Sequence, residues 1–184
     1  MSGLIKDAAV KIMKPLNVLL EAISFASVAH RNQLRKNNHT PYISHPFRVT
    51  MILRHVFGVE DEKILAAAVL HDTIEDTTTD YDDLQKHFGR DVAKWAAILS
   101  KDKRMPENSR EDRYFRALST APEPVLLIKL ADLYDNLVDS RTTLPKSKRR
   151  KHETKVKHFM KVIRARRTSP IVKRSIVLLK KALG

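Results

Sequence analysis

The chain contains no cysteine. That excludes a disulfide framework, a thiolate zinc site and a cysteine nucleophile, so any bound metal must rely on nitrogen and oxygen donors. There is also no N-terminal apolar run with a cleavage signal, because Lys11, Lys14 and Pro15 interrupt what hydrophobicity is present. A cytoplasmic protein with no membrane association is expected. Internal repeats, low-complexity tracts and alternating stretches long enough for a sheet are missing as well. Acidic residues all but vanish from the last quarter. Residues 141–184 carry 16 Lys/Arg against Glu153 alone, whereas residues 1–140 carry 19 against 20, so the whole formal charge of +14 originates in the tail. Such a block can attract nucleic acid, an acidic partner or a phosphate-rich small molecule.

An apolar fraction of 42% over 184 residues suits a single domain spanning 1–184, with a core over about 16–140 and a basic helical part over about 141–184. Helical spacing dominates, and the expected fold class is all-α. Val18, Leu19, Ala22, Phe25, Ala26 and Ala29 make one face after Pro15, which suits a first helical turn. A polar loop follows over Asn32–Pro41. Ser44 is expected to cap a helix that Gly58 ends, with His45 in its first turn. The next helix, preceded by Glu60-Asp61-Glu62, reaches His71-Asp72 near its C-terminal end. Thr79 and Asp82 suggest a capping box, Gly89 a stop, Ser109 a cap, and Pro122–Pro124 the start of a helix with Asp132 in its middle. Val156, Phe159, Met160 and Ile163, then Ile171, Ile176, Leu179 and Leu183, keep helical stripes, so the basic tail is expected to fold.

The chemistry concentrates in a few residues. A divalent ion lowers the pKa of a bound water and clamps a phosphoryl oxygen, which phosphoester hydrolysis requires. His45, His71, Asp72 and Asp132 supply imidazole and carboxylate donors. That set suits manganese better than calcium, with iron or zinc open. Glu75 follows His71 by four residues and Asp76 follows Asp72 by four. One acid can act on the attacking water while the other holds the ligand shell. Asn136, four after Asp132, offers an amide to a ribose or phosphate. His55, His87 and His152 stand without such company and read as ordinary surface or core histidines.

Four strings carry a family resemblance: Thr40-Pro41-Tyr42-Ile43-Ser44-His45-Pro46, Leu70-His71-Asp72-Thr73-Ile74-Glu75-Asp76-Thr77, His87-Phe88-Gly89, and Ile128-Lys129-Leu130-Ala131-Asp132 with Asn136. From about His30 to Asp139 the chain resembles the HD-domain hydrolases of the RelA/SpoT class, especially the small alarmone hydrolases of the Mesh1 type. The resemblance implies an all-α HD fold, one manganese ion on the four ligands, Glu75-Asp76 as the acidic pair activating water, and removal of the 3′-pyrophosphate from ppGpp-like nucleotides. It also implies nucleotide contacts from Arg35-Lys36, with Lys101 and Lys103 as further candidates. The chain departs from the family at Leu133 and Val138, where basic residues are usual. An adenosine alarmone, another nucleotide, and a role as antitoxin to a partner synthetase therefore stay open as alternatives. A nucleic-acid binder with a vestigial site is the reading from a different class. With 44 residues after Ser140, no synthetase domain is expected to follow.

Overall fold

In the computed structural model the described residues are 18–143 and 145–183, less the side chain of Lys148. Pro15 lies outside them. They form α1 (18–29), α2 (Ser44–Met51) running into a wider π-type turn (Ile52–Phe57), α3 (Glu62–Leu70), a single turn α4 (Thr73–Asp76), α5 (Tyr81–Leu99), α6 (Glu107–Thr120), α7 (Glu123–Thr143), α8 (Lys146–Ile163) and α9 (Pro170–Leu183). The described residues contain no sheet, only one isolated bridge, between Leu34 and Pro41. The all-α expectation holds.

The fold is organised around α7, which packs against α2, α3, α5, α8 and α9. Val125, Leu126, Ile128, Leu130 and Ala131 are fully buried on it, and a helix that is apolar nearly all round belongs in an interior. α3 runs beside it through Ala66, Ala67 and Ala68, all inaccessible to solvent. Their small side chains let neighbouring backbones approach closely. At the end of the π-type turn, Gly58 adopts φ +80° and the Val59 amide donates to the Leu53 carbonyl at 2.9 Å, a left-handed closure that favours glycine.

Local expectations needed adjustment at three places. Ser44 does not cap α2; it is the first helical residue, after Ile43. The amides of Ser44 and His45 are already satisfied by the Pro41 and Tyr42 carbonyls, so no side-chain cap is needed there. The capping box at α5 is shifted by one residue, with Asp80 and Asp83 exchanging bonds with each other's backbone amides. α6 begins at Glu107 after Pro106 rather than at Ser109, and Pro106 enters it without a side-chain cap. Gly89 does stop a helix as expected: its backbone, at φ +81° and ψ 169°, is non-helical, and two helical stretches meet across a kink there within the span of α5.

The basic tail is folded, as its stripes imply. Val156, Phe159, Ile163, Val172 and Leu179 are buried, and α8 and α9 both pack on α7. Truncating Phe159 to Ala should cost about 3–5 kcal/mol of stability. Chemical denaturation would read this as a lowered midpoint; an unchanged midpoint would mean that α8 contributes no core.

Candidate metal centre

The donors are brought together by the break between α3 and α4. His71 closes α3, and Asp72, at φ −103° and ψ −4°, interrupts the helix before α4 begins. Adjacent residues can therefore turn their side chains toward one point. His45 enters from the first turn of α2 and Asp132 from the middle of α7. Nε2 of His45, Nε2 of His71 and a carboxylate oxygen of Asp72 lie within 4.8 Å of one another. Asp132 Oδ1 stands 3.2 Å from His45 Nε2 without joining that tighter group.

The far sides of the imidazoles fix which nitrogen faces the cluster. His71 Nδ1 lies 2.7 Å from the Ala68 carbonyl, and His45 Nδ1 lies 2.6 Å from Asp135 Oδ2. Both acceptors call for N–H at Nδ1, so each ring in its neutral form turns the lone pair of Nε2 toward the cluster. His71 Nε2 is buried and makes no hydrogen bond, although Asp72 Oδ2 is 3.1 Å away. A buried ring nitrogen left without a hydrogen bond among carboxylates is a donor awaiting a cation. The residues present thus fit a divalent ion with mixed imidazole and carboxylate ligands.

Further side chains hold this set in place. Asp135 accepts from His45 and from the Arg48 guanidinium, at 2.7 Å to Nε and 3.0 Å to Nη2. Lys129 donates to Asp132 Oδ2 at 2.7 Å, and Asn136 donates to the other oxygen. The Tyr42 hydroxyl lies 2.6 Å from Asp72 Oδ2 and 3.0 Å from Asp76 Oδ2. Asp135, Arg48, Lys129 and Tyr42 were missed as site residues in the sequence. The signal for Asp135 is its place three residues after Asp132, and Tyr42 and Lys129 lie inside strings already singled out.

Electrostatics follow from these contacts. Burial pulls the His45 pKa down, but the bonds to Asp132 and Asp135 and the nearby charges outweigh it, holding the imidazole up at about 9. Burial pushes Asp132 up, and Lys129 and His45 more than reverse this, keeping it well below the usual range. Burial also raises Tyr42, reinforced by the charge of Asp72, so its proton stays on. Glu75 is raised, chiefly by burial.

The acidic pair proves unequal. Asp76 is held through both oxygens, by Tyr42 and by the Lys103 ammonium. Glu75 accepts one backbone bond, from Lys101 N–H to Oε2 at 2.9 Å. Both line a cleft of about 380 Å³ that also contains His45, His71, Asp72 and Asp132. Arg35, Lys36, Lys101 and Asn136 line the same cleft. Arg35 is bound to Asp139 at 2.9 Å, and the Asn136 amide nitrogen is engaged by Asp132. Lys103 lies outside the lining, paired with Asp76. Of the two departures, Leu133 lines the cleft, whereas Val138 is 42% exposed and does not. A larger apolar hollow of about 1050 Å³ between α1 and α5 holds Asp76 but none of the four candidate donors.

A family model described as HD domain matches residues 22–167. The chain belongs to the HD-domain family. It is therefore an HD-type, metal-dependent phosphohydrolase. It is 41% identical over 128 residues to human guanosine-3′,5′-bis(diphosphate) 3′-pyrophosphohydrolase MESH1, covering 69% of this chain and 72% of that one. An Aquifex aeolicus guanosine-3′,5′-bis(diphosphate) 3′-pyrophosphohydrolase is 40% identical over 119 residues, which span 63% of this chain and 17% of that protein. A solved structure of a metazoan ortholog of SpoT that hydrolyzes ppGpp superposes with a TM-score of 0.77 at 29% identity, over 91% of this chain and 96% of that one. No helix among the described residues is long and apolar enough to cross a membrane.

Two outcomes test the HD centre. Asp135→Asn keeps the shape but weakens the hold on His45, and should reduce divalent-metal affinity about 10–100-fold; calorimetry showing wild-type affinity would remove Asp135 from this role. The pH test has a definite sign. In metal-free protein His45 is raised from 6.5 to about 9, so its stabilising contribution is complete below pH 6.5 and is lost as pH rises through about 9. A metal needs the unprotonated Nε2, so affinity should climb across the same window with proton release below it. Affinity that stays flat from pH 6.5 to 9 would contradict the assignment.

Proposed function

We propose that the protein hydrolyses the 3′-pyrophosphate of (p)ppGpp-like nucleotides, using manganese held by His45, His71, Asp72 and Asp132. The observation that carries this reading is the joining of a buried imidazole and carboxylate cluster to a cleft whose wall bears Arg35, Lys36, Lys101 and Lys129. Such a surface suits a polyanion with one phosphoryl group at the floor. The named activities of the relatives point the same way.

When bound, the ion supplies Lewis acidity, polarising a phosphoryl oxygen and making water a better nucleophile. Water attacks the phosphorus joined to the ribose 3′ oxygen; that P–O bond breaks, and pyrophosphate and the nucleotide leave. Glu75 is the general base in this scheme. Its Oε1 carries no hydrogen bond among the described residues, and burial raises its pKa toward the working range. Asp76, fixed by Tyr42 and Lys103, orients rather than accepts the proton. Lys129 and Asn136 hold Asp132 so that Oδ1 faces His45. Lys36, Arg35 and Lys101 neutralise phosphate charge, Arg35 offering a planar guanidinium to the base once drawn from Asp139.

An adenosine alarmone is the second reading, favoured by Leu133, which gives the cleft an apolar side chain. A synthetase making the same nucleotide would be the functional counterpart. Purified protein with manganese should release pyrophosphate from ppGpp, pppGpp or ppApp, and the preferred base is read from the relative kcat/KM. Failure on all three would remove the proposal. Glu75→Gln should lower kcat about 10²–10⁴-fold while manganese still binds; near wild-type turnover would transfer the base role elsewhere.

A further inference from the structure

The cleft draws one wall from the basic tail. Lys155 and His152 of α8 line it together with Lys36 from the loop after α1. Val156 and Phe159, buried at 1% and 0% exposure, anchor this stretch of α8 against the core, so the wall is part of the rigid fold.

The cations of the cleft fall into two groups. Arg35 is paired with Asp139, Lys101 with Glu111 and Lys129 with Asp132. Lys36 and Lys155 have no hydrogen bond or ion pair among the described residues, and neither does the imidazole of His152. They also crowd one another. Burial lowers the pKa of Lys155, and the charges of Lys101 and Lys129 lower it further. Burial lowers His152 too, followed by Lys36 and Lys155. Glu111 and Asp132 offset this crowding only in part, since Lys155 and His152 both stay lowered; like charges pressed together in this way disfavour the empty cleft and favour an anionic ligand.

Resting on the proposed reaction, we infer that Lys155, with His152 and Lys36, forms a second anion subsite that takes the phosphate group remote from the bond being broken. A nucleotide with phosphoryl groups at both ends needs two anion-binding places. The metal centre receives the 3′ end, and the α8 wall receives the 5′ end. The basic tail thereby determines selectivity for the 5′ phosphorylation state, a role distinct from general attraction of polyanions.

The test compares wild type, Lys155→Met and Lys155→Arg on a nucleotide 3′-pyrophosphate bearing either a 5′-diphosphate or a 5′-hydroxyl. Wild type should favour the 5′-diphosphate in kcat/KM. Lys155→Met should reduce that preference about tenfold, and Lys155→Arg should retain most of it. A purely structural role would lower both substrates alike and leave the ratio unchanged, which overturns the inference, as does a wild type that shows no preference. A second arm requires no turnover. Inorganic triphosphate should bind metal-free protein, about tenfold more weakly in Lys155→Met than in wild type, by calorimetry at low salt. Equal binding overturns the subsite even if the reaction stands; weakened binding without any turnover supports the subsite and defeats the proposed reaction instead.

Discussion

Two aspartates one turn apart on the central helix α7 set the terms for the rest of the molecule. Asp132 and Asp135 sit at 7% and 3% exposure on α7. Carboxylates removed from water to that extent are costly unless positive charge and hydrogen bonds surround them. Asp135 finds His45 and Arg48, both on α2; Asp132 finds Lys129 and Asn136 on its own helix and His45 across the interface. One imidazole therefore bridges both carboxylates. That requirement fixes the docking of α2 on α7 and the direction in which His45 Nε2 points.

The candidate donor cluster follows from this pairing together with one break in helical geometry. Had α3 run on unbroken through Asp72, adjacent side chains would project about 100° apart around its axis. The bridge-region backbone at Asp72 brings the pair to one point and also turns α4, carrying Glu75 and Asp76 toward the cleft. Gln33 secures this from the other side, donating to the Asp76 carbonyl at 2.6 Å. The loop bearing Arg35 and Lys36 is thus tied to the same turn that places the acids.

Helix boundaries were less legible than helix identities, for a local reason. Capping depends on which amides remain unsatisfied, and around Ser44 the preceding turn had already satisfied them. At Gly89 the stop was legible, because its positive φ breaks the helical run. A second helical stretch follows directly, and its Val92, Ala93 and Ala96 bury fully. The all-α class and the folding of the tail were legible because apolar periodicity is a property of the chain itself.

By itself the sequence determined the donor types, their mixed nitrogen and oxygen chemistry, and the helices carrying them, because absent cysteine and 3.6-residue periodicity are local facts. It also located the acidic pair at helical spacing. Only the tertiary structure decided which acid is held through one oxygen and which through both, since Lys103 and Tyr42 reach Asp76 from distant segments. It alone decided that Asn136 serves Asp132, that Leu133 faces the cleft while Val138 faces outward, and that a surplus of tail charge contributes Lys155 to the site. These depend on how helices far apart in sequence pack around α7, and no spacing within one segment records that.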